Sequence, residues 1–395
     1  MIDPAPGPRL LVVAGEASGD LHGARLLTEL RRLVPGLEAF GLGGDELRAA
    51  GLETLADSAE VSVVGLTEAL KVLPRARRLF ADLLAAVDRR HPSAAVLIDF
   101  AEFNLRLARE LKQRGVPVLY YISPQVWAWR RGRVRTVAEV VDLMMVLFPF
   151  EVDFYRRHGA AVTWVGHPLV DEVPELPHVW ERGVPGVDLA GELFQIALLP
   201  GSRRSEIEAM LPTMLQAAAK IAEELPVFVR LIRAPGIPAE ALEEPIALSG
   251  LPVTVSDRDR FQAIADSHLA LCVSGTATLE VGLLGTPMLV LYRLASWTYL
   301  LVWVLVRLPY VSLVNLVLER AAVPELLQGQ ARPEKIAREA LALLTDRDRV
   351  AAMRADLGLL RARLGERGAS ARAAAEVAAR LAAGDAAERR CGVAR

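Results

Sequence analysis

Short runs that are apolar from end to end, separated by stretches of helical period, recur along this chain in two series. The first comprises Leu10 to Ala14, Ala95 to Ile98, Pro117 to Ile122, Met144 to Phe148 and Thr163 to Val165, with helical patterns such as Leu21 to Val34 and Asn104 to Arg114 between them. The second comprises Ile196 to Leu199, Val227 to Ile232, Val253 to Val255, Leu269 to Val273 and Met288 to Tyr292. A strand with one wet face alternates apolar and polar residues. Runs without alternation therefore predict parallel sheets covered by helices on both faces. Two series predict an α/β protein of two doubly wound Rossmann-like domains, and 395 residues suffice for that at roughly 100 to 200 residues per domain.

The stretch "DEVPELPHVWERGVPGVD", Asp171 to Asp188, has three prolines, two glycines and no clear period, so the boundary is expected there. We assign residues 1–171 to the first domain and 172–345 to the second. Residues 346–395 form a helical C-terminal segment that packs back on the first domain and ends in a frayed polar tail. From about residue 333 the Ala-, Leu- and Arg-rich sequence predicts helix throughout.

The 46 basic and 48 acidic residues nearly cancel, so no global charge points to nucleic acid. Two cysteines, Cys272 and Cys391, cannot make a disulfide framework, and the opening "MIDPAPGPR" lacks a basic start followed by an apolar core. Both features fit a cytoplasmic chain. With 52% hydrophobic residues a membrane span has to be considered. The most apolar run, residues 294–306, is about 20 Å long as a helix at roughly 1.5 Å per residue, too short for a hydrocarbon core of about 30 Å.

Parallel sheets bind ligands at the carboxyl ends of their strands. In "LLPGSRRSE" a strand ends, turns at Pro200 and Gly201, and opens a helix with Ser202 and Arg203, giving free N–H groups and a guanidinium suited to a diphosphate. In "CVSGTATLE" Ser274, Gly275 and Thr276 stand at a second such start, and Glu280 lies one turn on, able to accept from ribose hydroxyls. Either loop alone could be an ordinary N-cap; two in one domain point to an anion site. The first domain is different. "VVAGEASGDLHGARLL" carries Glu16 and Asp20 where a phosphate loop would avoid negative charge, which suits a hydroxyl-rich sugar. Asp99 ends the strand of "VLIDFAEFN" with Glu102 just beyond, placed either to deprotonate a hydroxyl or to cap the next helix. His167 in "VGHPLVD" and the aromatic, basic "YYISPQVWAWRRGRVRTV" also follow strands, as site residues or as packing and a solvated helix.

The blocks "VVAGEASGDLHGARLL", "YYISPQVWAWRRGRV", "LFPFEVDFYRRHGAAVTWVGHPLVD", "ALLPGSRRSEIE", "SGTATLE" and "YVSLVNLVL", in this order from about residue 10 to 340, resemble the lipid-A-disaccharide synthase family. The resemblance implies a GT-B type inverting glycosyltransferase. It would join UDP-2,3-diacylglucosamine to 2,3-diacylglucosamine 1-phosphate, giving a β-1,6 disaccharide and UDP, with no metal and no cofactor. It further implies Asp99 as the base and Gly201, Ser202, Arg203, Ser274, Gly275, Thr276, Glu280 and Asn315 on the donor, the last two beside the uridine. Glu16, Ser18, Asp20, Glu102, Gln125 and His167 would serve the acceptor or the domain junction. The chain departs from the family's Asp-x-Pro-Asp-Phe-Asn pattern, with "DFAEFN" placing the longer Glu102 at the second acid.

Acylated substrates imply a chain peripheral on the inner face of the inner membrane, and a homodimer stays open. Two stretches fit docking: Val61 to Leu84, where Leu66, Leu70, Leu73 and Phe80 accompany Lys71, Arg75, Arg77 and Arg78, and the run with Trp297, Tyr299 and Trp303. Buried core or a subunit contact is the plainer account of both. A nucleotide-sugar epimerase of the same fold and a non-catalytic UDP-sugar-binding regulator are the rival functions. A dinucleotide-binding dehydrogenase is disfavoured, because "GLGGDEL" is no Gly-rich loop after the first strand.

Overall fold

The computed structural model describes residues 7–57, 66–124, 126–129, 131–178, 193–293 and 309–392. Gln125, the apolar run 294–306, residues 61–65 and most of the linker lie outside the described residues.

The chain forms two compact units, one of residues 1–168 with 365–395 and one of residues 169–364. The first holds a seven-stranded parallel sheet, ordered β3-β2-β1-β4-β5-β6-β7. Its strands are β1 (Arg9–Ala14), β2 (Glu38–Gly43), β3 (Glu53–Asp57), β4 (Ala94–Ile98), β5 (Val118–Tyr121), β6 (Leu143–Val146) and β7 (Val162–Trp164). The chain winds outward from β1 to β3, then returns to β4 beside β1 and winds the other way. That reversal is a topological switch point, where the loops after β1 and β4 splay apart and leave a crevice. The register Ala14 to Ile98 puts Glu16 and Asp99 on its two lips.

The apolar runs are the buried strands: β1 from Leu10, β4 and β5 are buried along their lengths. Two strands break the pattern that revealed the others. β2 contains two glycines, and Gly41 is required because a Cβ there would lie 1.9 Å from the carbonyl oxygen of Val12, at a φ of 149°. β3, "ETLAD", is a polar edge strand.

The second unit repeats the scheme with six parallel strands, β10-β9-β8-β11-β12-β13. They are β8 (Phe194–Leu199), β9 (Val227–Ile232), β10 (Val253–Ser256), β11 (Leu269–Val273), β12 (Met288–Tyr292) and the short β13 (Glu325–Leu327). Its switch point lies between β8 and β11, where Leu199 pairs with Cys272.

The C-terminal region is not one helix. Helices Pro333–Thr345, Arg347–Gly358 and Leu360–Leu364 belong to the second unit, where Leu360 and Leu357 pack over Gly282; a Cβ on that glycine would lie 2.7 Å from Leu360. Gly365 and Gly368, with φ of 95° and 92°, break the helical path, since other residues rarely adopt that conformation. The crossing into the first unit therefore falls at Leu364/Gly365 rather than at 345/346, and the earlier crossing at Pro168/Leu169 rather than at 171/172. Helix Ala369–Gly392 then packs on helix Ala17–Leu33, with Ala373, Ala374, Val377 and Leu381 buried. Arg372 Nε donates to the carbonyl of Val165 at 2.8 Å and pins it there. Among the described residues no helix is long and apolar enough to cross a membrane.

Candidate active site

In the first unit the crevice is built around a strained turn. Asp99 and Phe100 both have φ of 46°, a left-handed conformation uncommon for residues with a Cβ, and helix Ala101–Gln113 starts immediately after them. Asn104 in that helix holds the turn by donating Nδ2–H bonds to the carbonyls of Ile98 and Asp99 at 3.1 and 2.9 Å. The Tyr120 hydroxyl donates to the same Asp99 carbonyl. The Phe100 ring fills the space over Gly15, where a Cβ would come within 2.3 Å of it. These contacts fix the backbone and leave the Asp99 carboxyl to the crevice. Burial, with the negative charge of Glu16 beside it, pushes that carboxyl up to about 6, and the Phe100 amide draws it partly back. Strain of this kind at a strand end makes the turn a candidate functional one.

Glu16 and Ser18 are exposed at the start of helix Ala17–Leu33. Asp20 is not available to a sugar. It is buried one turn into that helix, and its carboxylate accepts the amides of Gly44, Glu46 and Leu47 at 2.6, 3.0 and 3.2 Å. It caps helix Asp45–Ala49 from outside, so the "GGDEL" turn answers to Asp20 and not to a ligand. Glu102 is also committed: its longer side chain reaches Arg133 in a two-pronged ion pair at 2.5 and 3.0 Å. His167 is buried against Phe148, and burial with His22 nearby lowers it to about 3, so it is a neutral imidazole at physiological pH.

Sequence reasoning missed Glu151, which ties two loops of this unit together. It is buried, accepts the Trp127 indole N–H at 3.0 Å and the amides of Leu147 and Phe148 at 3.2 and 3.0 Å. Burial pushes its carboxyl up to about 7, and the Phe148 amide, Ser123 hydroxyl, Trp127 indole and Leu147 amide keep it from going higher. "SPQVWAW" is thus bound to "LFPFE" through one side chain.

In the second unit the two loops suggested for the donor flank the switch point between β8 and β11. Gly201 has a φ of 117°, which lets the loop turn into helix Arg204–Ala222 with Ser202 and Arg203 exposed. The free amides expected there are taken by a group the sequence reading passed over. Glu206 Oε2 accepts from the N–H of Ser202 at 3.0 Å and of Arg203 at 3.2 Å, and Oε1 meets the Arg203 guanidinium at 3.0 Å. A carboxylate thus sits where a diphosphate oxygen would bind. The signal was present as a Glu three residues after the helix-opening position.

After β11, Thr276 is exposed at the start of helix Thr276–Leu283, and the Ser274 hydroxyl donates to the carbonyl of Val311 at 3.0 Å. Burial raises the Glu280 carboxyl above its ordinary value, opposed by Arg260 at 3.4 Å and assisted by Glu172. Asn315 is held by internal hydrogen bonds. It is buried, donates Nδ2–H bonds to Val323 O and Glu325 Oε1 at 2.9 and 2.8 Å, and accepts the Val323 amide at 2.9 Å. Its role is to fold the segment between helix Leu313–Leu318 and β13.

A family model described as lipid-A-disaccharide synthetase matches residues 10–380. The chain belongs to the lipid-A-disaccharide synthase family. Lipid-A-disaccharide synthases of Anaeromyxobacter dehalogenans and Myxococcus xanthus are 46% and 44% identical to it over 372 residues, covering 93% and 94% of this chain and 96% and 97% of theirs. Among solved structures, the calicheamicin glycosyltransferase shares the fold at a TM-score of 0.57 and 17% identity, over 96% of this chain and 99% of its own. A UDP-GlcNAc 2-epimerase from Neisseria meningitidis, bound to UDP-GlcNAc, does so at 0.55 and 12%, over 90% and 97%. The fold is thus shared by transferases and epimerases, and it is the synthase family match, spanning both strained turn and anion loop, that separates them.

Proposed function

We propose that this chain is an inverting glycosyltransferase joining UDP-2,3-diacylglucosamine to 2,3-diacylglucosamine 1-phosphate. The observation that carries the reading is the Asp99 turn: a half-buried carboxyl, raised to about 6, on a strained strand end inside the stretch that matches the synthase family. A base is most effective when its pKa lies near the working pH, and burial brings Asp99 there from the ordinary carboxylate range.

Asp99 takes the proton of the acceptor's 6-hydroxyl as that oxygen bonds to the donor's anomeric carbon. The bond from that carbon to the UDP oxygen breaks, and its electron pair leaves with UDP. One displacement inverts the carbon. Asn104 and Tyr120 position the base through its carbonyl, and Glu16 keeps its affinity for the proton high. Arg203 and the amides of Ser202 and Arg203 receive the diphosphate once Glu206 swings away, and charge growing on the departing oxygen is stabilised there. Thr276 and Glu280 line the second donor loop. Because both substrates carry acyl chains, the enzyme works docked on the inner face of the inner membrane; drawing such chains into water costs about 0.8 kcal/mol per CH2.

Mass spectrometry of products from UDP-2,3-diacylglucosamine, with and without the monosaccharide 1-phosphate, tests the reading. The disaccharide 1-phosphate and free UDP should appear only when both substrates are present. An epimerised UDP-sugar, or saturable UDP binding without turnover, would replace it with one of the rival functions.

A further inference from the structure

The first unit contains a cavity beside the Asp99 turn, of about 200 Å³ and lined by Glu102, Leu105, Arg106, Arg109, Arg133 and Thr136. Glu102, Arg106 and Arg109 project from one face of helix Ala101–Gln113, spaced four and three residues apart, and Arg133 and Thr136 face them from the next helical segment. The Glu102 carboxylate holds the Arg133 fork in place, and Arg109 Nη2 donates to Thr136 Oγ1 at 3.3 Å. Arg106 and Arg109 have no carboxylate partner among the described residues, and both are exposed. Three guanidiniums share one carboxylate, leaving two positive charges in excess. Stability does not call for such a gathering, since exposed ion pairs contribute little and like charges on one helix face repel.

We infer that this cavity binds a phosphate monoester, and that in the proposed reaction it receives the acceptor's 1-phosphate. The inference rests on the transfer reading above and adds to it the place where the acceptor's charged end is held. A phosphate monoester carries about −1.5 to −2 charge near neutral pH and offers three acceptor oxygens, matching the excess charge and the Arg and Thr donors. Position agrees. The attacking 6-hydroxyl and the anomeric phosphate sit at opposite ends of the acceptor ring, while Glu102 is three residues beyond Asp99 and Arg106 lies about 6 Å further along the helix. Arg106 is thus seven residues beyond Asp99, about 10 Å at 1.5 Å per residue, a gap that a sugar ring, its phosphate and an arginine side chain together bridge. The longer Glu102 is explained too: reaching Arg133 is what turns that guanidinium into the cavity.

The test compares the full chain with Arg106→Ala/Arg109→Ala and Arg106→Lys/Arg109→Lys variants in nonionic mixed micelles. Loss of charge-assisted bonds to phosphate should raise the acceptor KM of the Ala variant by about tenfold or more, with UDP affinity little changed, and Lys should recover much of the loss. An active parent whose Ala variant keeps the parental acceptor KM overturns the inference. Flotation on phosphatidate vesicles separates the two sources of such a phosphate: if the Ala variant floats less but keeps its acceptor KM, the cavity serves a bilayer headgroup and the acceptor assignment fails. A parent that releases no UDP from both substrates would instead sink the transfer reading itself.

Discussion

Asn104 Nδ2 donates at 2.9 Å to the carbonyl oxygen of Asp99, the residue whose carboxyl faces the crevice. A side chain five residues downstream thus holds the Asp99 backbone in a left-handed conformation. Asn104→Ala removes both of its carbonyl contacts from a buried turn. It should lower kcat well beyond its effect on stability, which a lost buried hydrogen bond sets at about 1–3 kcal/mol. UDP affinity, read by calorimetry, should not move. Equal losses in stability and rate, with Asp99 unshifted in its pH profile, would leave Asn104 a fold residue only.

As the proposed base, Asp99 would act only when ionised, and its carboxyl is raised to about 6. The rate should therefore fall as pH drops through about 6, an unusually high value for a carboxylate. Glu16→Gln removes the neighbouring negative charge and should move that limb to lower pH, since only burial then opposes ionisation. Asp99→Asn should lose about 100- to 10,000-fold in rate with UDP binding intact. An acid limb that stays in place in both variants assigns the titration to another group.

Glu206 occupies the Ser202 and Arg203 amides in the second unit, so it would compete with the diphosphate proposed to bind there. Glu206→Gln weakens this internal competitor and should tighten UDP binding several-fold by calorimetry. Arg203→Ala should weaken it, as a charge-assisted bond is lost in both ground and transition states. Weaker binding in Glu206→Gln would mean that the carboxylate instead orients Arg203 for the ligand.

Both sheets were legible because their central parallel strands are apolar throughout; the strand orders and switch points come from the structure. β2, β3 and β13 were not, for physical reasons: Gly41 is dictated by a backbone contact with Val12, β3 is a polar edge, and β13 has three residues. At the candidate site, residue type and position pointed to Asp99, Arg203 and the two loops after β8 and β11. What one sequence cannot display is which acids and amides are already spoken for. Asp20, Asn315 and Glu102 had the chemistry of ligand residues, yet their partners lie 24 to 27, 8 to 10 and 31 positions away. Glu151 was invisible for the converse reason, reading as a surface acid until four groups closed on it.

Glu151 makes a stability prediction with a defined sign. Its carboxyl is raised in the fold to about 7 from an ordinary 4.5, so the folded state keeps a proton that the unfolded state releases. Its contribution is fully present below about 4.5 and is lost as pH rises through about 7, a span worth on the order of 3 kcal/mol. Glu151→Gln cannot titrate. Urea midpoints should show its deficit relative to the parent largest near pH 5 and shrinking toward pH 8, whereas a constant difference would mean that Glu151 is ionised throughout.

The proposed membrane docking is testable on one helix. On helix Leu66–Arg90 the side chains of Leu79, Leu83, Ala86 and Val87 are buried and Phe80 packs edge-on against Phe103 at 5.5 Å, so Phe80 belongs to the core and not to a lipid-facing set. Arg75, Arg77 and Arg78 are exposed. The side chains of residues 66–73, with Leu66, Leu70, Lys71 and Leu73, lie outside the described ones; what the described side chains of this helix offer an anionic bilayer is charge, at about 1 kcal/mol per basic residue near the surface and screened within a Debye length. The parent should float with anionic vesicles at low salt and partly wash off at high salt. A variant with Lys71, Arg75, Arg77 and Arg78 changed to Ser should float markedly less, while turnover of substrates in nonionic micelles stays near the parental rate because none of the four has a place in the transfer chemistry. A folded parent that does not bind such vesicles at low salt removes the docking helix, and the acylated substrates must then reach the enzyme through a carrier.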